Sequence, residues 1–172
     1  MKTLNWRHTG WFAKDFIFTM EQQIIGNLTI DSSWNFKALY TDEETKLNFA
    51  QKSFWDRNVS ITRDGEVIGE IHSGLFGEKT LRLVSGEKFT ISTSLWEQEV
   101  YWKTEEGNTV VQYWQATMSS MGKGSISLEK SLPVEMEKLL ISSGLFIRQM
   151  TRWRRARKMA VIILVIASGS QF

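Results

Sequence analysis

The sequence predicts a mostly β protein with one long C-terminal helix: a twelve-stranded antiparallel barrel, closed from three four-stranded repeats and wrapped around a central hydrophobic α-helix. Three observations predict it. The chain aligns with itself at an offset of about 43 residues, three times over, the mark of a repeated supersecondary unit. Eight Trp, ten Phe and three Tyr accompany a single proline, a composition suited to the pleated, half-buried surface of a sheet. Past that proline the period changes to that of a helix apolar on most of its circumference, and such a helix must be enclosed.

The first repeat opens on Trp11-Phe12, alternates through Phe16, Phe18 and Met20, passes a polar turn within Glu21-Gln22-Gln23, and returns as Ile24-Ile25-Gly26-Asn27-Leu28. The second opens on Phe54-Trp55 and repeats the plan about Asp64-Gly65, returning as Val67-Ile68-Gly69-Glu70-Ile71. The third, from Leu95-Trp96, turns at Gly107-Asn108 and matches less closely, with Gln112 aligned to the glycine. Alternation on both arms makes each segment a β-hairpin, and Asp64-Gly65 and Gly107-Asn108 supply the positive φ that tight turns need. A second hairpin follows each one: Asn35 to Gln51 about Thr41-Asp42-Glu43-Glu44, Lys79 to Thr93 about Ser85-Gly86-Glu87, and Gln115 to Lys130 near Met121-Gly122-Lys123-Gly124. Twelve strands between about residues 10 and 130 would leave long unpaired edges in an open sheet, so closure is expected.

Pro133 suits a first helical position, and Glu135 and Glu137 suit the positive end of the helix dipole. A helix is therefore predicted over about 132–158, with Leu139, Leu140, Leu145, Phe146 and Ile147 as its structural core and 159–172 as an apolar tail continuing it. A barrel of twelve strands is too wide for its own side chains to fill, which gives the helix its place. Two segments compete for it, Val134 to Met150 and Met159 to Ala167; a stripe of Glu135, Lys138, Ser142 and Gln149 on the first would need partners inside.

At 172 residues the chain suits one domain, 1–158, plus the tail. With no cysteine there is no disulfide, thiolate zinc site or cysteine nucleophile, and His8 and His72 are too few and too far apart for most imidazole chemistry. His72 beside Glu70 or Asp64 is read as a structural or exposed strand histidine rather than an acid–base site. Gly122-Lys123-Gly124-Ser125 lacks the first glycine and spacing of a phosphate loop and reads as a hairpin turn. Asp42-Glu43-Glu44 reads as a solvated hairpin tip. No catalytic residue, metal site or cofactor is expected, and the protein is read as a non-enzymatic binding or scaffold domain.

The net charge of +2 hides an asymmetry, for all 19 Asp and Glu precede residue 148, where 15 Lys and Arg leave the body net acidic. The other six bases, Arg148, Arg152, Arg154, Arg155, Arg157 and Lys158, fall within eleven positions. Next comes Met159 to Ala167, nine residues without a polar side chain, whose contact candidates are Val161, Ile162, Leu164, Val165 and Ile166. As a helix it spans ~14 Å, half of a ~30 Å hydrocarbon core, and cannot cross a bilayer alone. It packs on its own domain, on a second copy or another protein, or it rests with the basic run on anionic membrane lipids. Nucleic acid is disfavoured because the acidic body would repel it. The aromatic pairs that open the repeats read as barrel-end packing, or as anchors at a membrane face or ligand mouth. Met1 to His8 is followed by no long apolar run, so no secretory signal is expected and the location is read as cytoplasmic, peripheral at the inner membrane face where the tail meets lipid.

Twelve strands in three repeats closing on one hydrophobic helix, units such as Asp64-Gly65-Glu66-Val67-Ile68-Gly69-Glu70-Ile71, and the Arg152-Trp153-Arg154-Arg155-Ala156-Arg157-Lys158 run resemble the tubby C-terminal-like superfamily, which includes tubby proteins, phospholipid scramblases and LURP-one-related proteins. The resemblance covers roughly residues 10–158 and is to the small bacterial type. It implies the barrel fold and an association with membranes or lipids. No residues match the tubby phosphoinositide site, and no acidic loop has calcium-site spacing.

Overall fold

A computed structural model describes residues 2–9, 14–31, 36–51, 53, 56, 58–74, 78–93, 99–115, 122–128 and 132–169, with helix side chains up to Arg154. The strands are β1 (Lys2–Thr9), β2 (Asp15–Met20), β3 (Gln23–Asp31), β4 (Lys37–Thr41), β5 (Lys46–Gln51), β6 (Val59–Arg63), β7 (Glu66–Ser73), β8 (Lys79–Leu83), β9 (Lys88–Thr93), β10 (Glu99–Lys103), β11 (Thr109–Gln115) and β12 (Lys123–Leu128), followed by α1 (Val134–Gly169). Each strand pairs antiparallel with its sequence neighbour, and β1 lies between β2 and β12, so the ring closes with no free edge.

The strand number is the expected one, but its membership is not. Two strands were expected from Gln115 to Lys130; β11 instead pairs directly with β12, and the twelfth place is taken by β1. Residues 116–121, the first arm of that hairpin, lie outside the described residues. The third repeat thus borrows its fourth strand from the N-terminus. Leu4 and Trp6 of β1 are buried between exposed Thr3, Asn5 and Arg7, so the period-two signal was present. Its partner, with Leu4 opposite Ile126, is too distant in sequence for a hairpin pattern to show.

Each repeat carries a β-bulge at the same place, after Phe18, Ile61 and Trp102. The residues opposite are Gly26, Gly69 and Val111, so the counterpart of the two glycines in the third repeat is Val111, one position before Gln112. Close approach requires those glycines: a Cβ on Gly26 would lie 2.8 Å from two ring carbons of Tyr40, and one on Gly69 would lie 2.9 Å from the Arg82 carbonyl oxygen. Asp64 and Gly65 turn with φ of 51° and 87°; Glu21 and Gln22 make the equivalent turn at 49° and 71° without a glycine.

The α1 helix starts where expected, the Pro133 carbonyl accepting from the Met136 and Glu137 amides. Of the two segments that could fill the lumen, the first does. Leu139, Leu140, Leu145, Phe146, Ile147 and Met150 are buried against inward residues such as Phe49, Trp102 and Tyr113. Trp102 Nε1 donates to the Leu140 carbonyl at 3.1 Å, and the Tyr113 hydroxyl donates to the Leu140 and Ile141 carbonyls, tying the wall to the helix backbone. Gly144 faces Tyr113 so closely that a Cβ there would collide with the phenol. The polar stripe finds partners in part. Glu135 pairs with Arg63 at 2.9 Å, Ser142 donates to the Lys138 carbonyl at 2.7 Å, and Gln149 Nε2 has no hydrogen-bond partner.

Lys138 reaches Asp42 at 3.1 Å. Asp42 also accepts from the Tyr40 hydroxyl at 2.9 Å and from the Glu44 and Thr45 amides at 2.9 and 2.8 Å. The acidic hairpin tip is therefore divided: Glu44 is solvated, with 81% of its side chain exposed, while the Asp42 side chain is 7% exposed and locks the helix to the β4–β5 turn. Burial alone would raise the Asp42 carboxyl, but these hydrogen bonds outweigh it and hold the group below its ordinary value.

Candidate functional site: the exit of the core helix and the wall beside it

Antiparallel order puts the short turns, and the start of α1, at one end of the barrel. The other six connections, and the departing helix, are at the opposite end, the exit rim. A helix of 36 residues is ~54 Å long, whereas the longest strand, of nine residues, spans ~30 Å, so α1 outruns the wall that encloses it.

The two ends differ in charge. Among the described residues Glu21, Asp42, Glu43, Glu44, Asp64, Glu87, Glu105 and Glu106 lie in turns at the end where the helix begins, and Lys2, Lys46, Arg63, Lys88, Lys103 and Lys138 offset only part of that charge. At the exit rim, among the described residues, Lys14, Lys37, Lys79 and Lys123 stand against Asp15, Asp31, Asp56, Glu78 and Glu99, so the helix's own arginines set the sign there.

The basic run does not lie wholly at the surface. Arg148 is 7% exposed and lies inside the barrel, which takes it out of the basic run offered to anionic lipid. Its guanidinium sits 5.6 Å from the Trp6 ring centroid and donates to Gln115 Oε1, while Nε and Nη1 have no hydrogen-bond partner. Burial, then the neighbouring Arg152 charge, pulls its pKa down to about 10, which still leaves it cationic at neutral pH. Arg148 and Arg152 are one helical turn apart, and the wall ends between them.

The rim is crossed at Thr151, whose hydroxyl accepts from Lys79 Nζ at 3.2 Å. Arg152 is exposed. Trp153 stacks on Phe36 with ring centroids 6.1 Å apart and planes 12° apart, and the Arg154 guanidinium lies 5.5 Å from the same ring. Phe36 is pinned in turn, its carbonyl accepting from the Gln51 amide at 3.1 Å. Beyond Arg154 the helix continues to Gly169. Arg155, Arg157, Lys158, Val161, Ile162, Leu164, Val165 and Ile166 belong to it, and their side chains lie outside the described residues. The aromatic pairs Trp11-Phe12, Phe54-Trp55 and Leu95-Trp96 are outside them too, though the strand ends they join all belong to the exit rim.

Among the described residues no group of His, Asp and Glu could hold a metal, and no helix is long and apolar enough to cross a membrane. His72 Nε2 and Glu70 Oε2 are 3.2 Å apart with over a third of each side chain exposed, a surface pair two residues apart on β7.

Sequence reasoning missed one feature. On the outer wall, β2, β1, β12 and β11 form a depression of about 390 Å³ lined by Asn5, Trp6, Arg7, Thr19, Trp114, Lys123, Gly124 and Ser125. Trp114 is 46% exposed. The alternation of β11 already put Trp114 on the outer face, opposite in phase to buried Val111 and Tyr113. What the sequence did not reveal is that Arg7 and Lys123 are direct cross-strand partners. No protein-family model matches this chain, and no curated protein or solved structure does either.

Proposed function

We propose that this barrel is a non-enzymatic binding domain that docks peripherally on an anionic membrane surface through the part of α1 beyond the exit rim. The observation that carries the reading is the continuity of the helix past a lumen already filled by Leu139 to Met150. The nine apolar residues from Met159 have no place left in that lumen. The extension from Arg155 to Gly169 is ~22 Å long, with its bases next to the barrel and its apolar stretch farther out. Set against a membrane, the bases lie among head groups, each contributing ~1 kcal/mol, and the apolar stretch reaches ~14 Å inward, about one leaflet. The acidic turns at the opposite end orient the molecule, because an anionic surface repels that end and attracts this one.

Co-sedimentation of the full chain with vesicles tests this. Vesicles containing phosphatidylserine should retain the protein at low salt, neutral phosphatidylcholine vesicles should not, and salt should release it. Arg155→Gln with Arg157→Gln, and separately Ile162→Asp with Leu164→Asp, should each weaken retention. If anionic vesicles fail to retain the full chain, the membrane reading is wrong. Mass that grows with concentration and reverts to monomer in the Asp variant would instead make the extension a self-association helix.

A further inference from the structure

We infer that the depression on the outer wall is a binding site for a phosphate monoester. Arg7 and Lys123 stand directly opposite one another on β1 and β12, and both are exposed. Like charges at such a spacing repel, and among the described residues neither has an ion pair or hydrogen bond to offset this. The lining contains no carboxylate. Glu99, the cross-strand partner of Trp114, is engaged by the Tyr101 hydroxyl. A dianion between the two cations turns one repulsion into two attractions, and a phosphate monoester is dianionic near neutral pH.

The rest of the depression suits that ligand. Asn5 and Ser125, cross-strand partners of each other, offer an amide and a hydroxyl beside the cations. Gly124 lets the floor pack closely: a Cβ there would lie 2.9 Å from Trp6 Nε1 and would collide with the Trp114 carbonyl. Behind that floor Arg148 lies over the Trp6 ring, adding a positive charge that water does not reach freely. Trp114, at the edge, presents an open face for whatever the phosphate is attached to. The sequence run Gly122-Lys123-Gly124-Ser125 thus supplies a cation, a floor and a hydroxyl from a strand rather than from a phosphate loop. The site is independent of the helix extension.

Phenyl phosphate, a soluble ring-bearing monoester, is the probe, read by amide and indole shifts in the nitrogen–proton spectrum of the full chain. Saturable shifts are expected at Lys123, Gly124, Ser125 and the Trp114 indole. They should weaken at least tenfold in Arg7→Gln and in Lys123→Gln, whose exposed side chains leave folding unchanged by circular dichroism. Lowering the pH from 7.5 to 5 should weaken binding as the phosphate loses its second charge. Vesicles separate the two sources of a monoester. If the natural ligand is a lipid head group, Arg7→Gln lowers retention on phosphatidic acid vesicles and not on phosphatidylserine ones; if it is a soluble compound, retention on both is unchanged while phenyl phosphate binding is lost. Absence of saturable shifts, or shifts of equal affinity in both Gln variants, would overturn the assignment.

Discussion

Gly144 offers a test in which the sign of the effect separates two pictures of α1. On an unconfined helix, Gly→Ala stabilises by about 1 kcal/mol because alanine loses less backbone entropy. Inside this barrel the new methyl group would meet the Tyr113 phenol, with ring carbon Cε2 only 2.6 Å away. That ring cannot step aside freely, for it is fully buried and its hydroxyl is bonded to the Leu140 and Ile141 carbonyls. Overpacking of this kind costs ~1–3 kcal/mol, and displacing the hydroxyl adds ~1 kcal/mol of lost hydrogen bonding. Set against the propensity gain, Gly144→Ala should destabilise by about 1–3 kcal/mol. The assay is urea unfolding: the midpoint should fall with the slope unchanged, and the melting temperature should drop by ~2–4 °C per kcal/mol. Tyr113→Ala removes the obstacle, so the added cost of Gly144→Ala should disappear in that background, a coupling of at least ~1 kcal/mol. A Gly144→Ala protein more stable than the parent would refute the packing of this turn of the helix against Tyr113.

Three further expectations concern other parts of the molecule. Because the Asp42 carboxyl is held below its unfolded value, its contribution is complete above about pH 4 and is lost as pH falls through the folded value. Asp42→Asn should therefore lower stability near neutrality by ~2 kcal/mol and flatten its decline below pH 4, as followed by urea midpoints across pH; an unchanged acid limb would count against the Lys138–Asp42 lock. Replacing the strained turn Glu21-Gln22 by Asn-Gly should stabilise by ~1 kcal/mol, since both positions have positive φ, and a fall in the thermal midpoint would argue against that turn geometry. Arg148→Met keeps an unbranched apolar stem and removes a buried charge with two unpaired nitrogens, so it should be neutral or stabilise by up to ~2 kcal/mol; a clear loss would mean that the Gln115 hydrogen bond and the Trp6 ring outweigh the cost of burying the charge.

The parts of this fold that sequence revealed are those written in local pattern. Asp64-Gly65, the alternating arms around it, and the Gly26 and Gly69 positions announced a repeated hairpin, and Pro133 announced the helix. What stayed hidden depends on contacts between distant residues. β1 alternates cleanly, yet only its pairing with β12 makes it the closing strand. Arg148 and Arg152 are one helical turn apart, and nothing in their spacing says that the rim passes between them; that depends on how far the helix is inserted along its axis. The outer-wall depression needed both facts about β1, since Arg7 meets Lys123 only when the ring is closed.

The passage of α1 from one end of the barrel to the other constrains the order of assembly. The helix is made after all twelve strands, and it carries Arg152, Arg154, Arg155, Arg157 and Lys158 on the side that must emerge. Pulling five cations through a finished apolar tube would strip each of its water, a penalty of several kcal/mol apiece and more than the stability of most domains. The tube is therefore not built first. The sheet must remain an open, curved ribbon until the helix lies across it and must then wrap and seal, with the β1–β12 seam joining the two extremes of the strand order as a late event. Until the helix leaves the ribosome, the inward faces of twelve sequentially paired strands have nothing to pack against, which makes the nascent chain the state most in need of protection from aggregation.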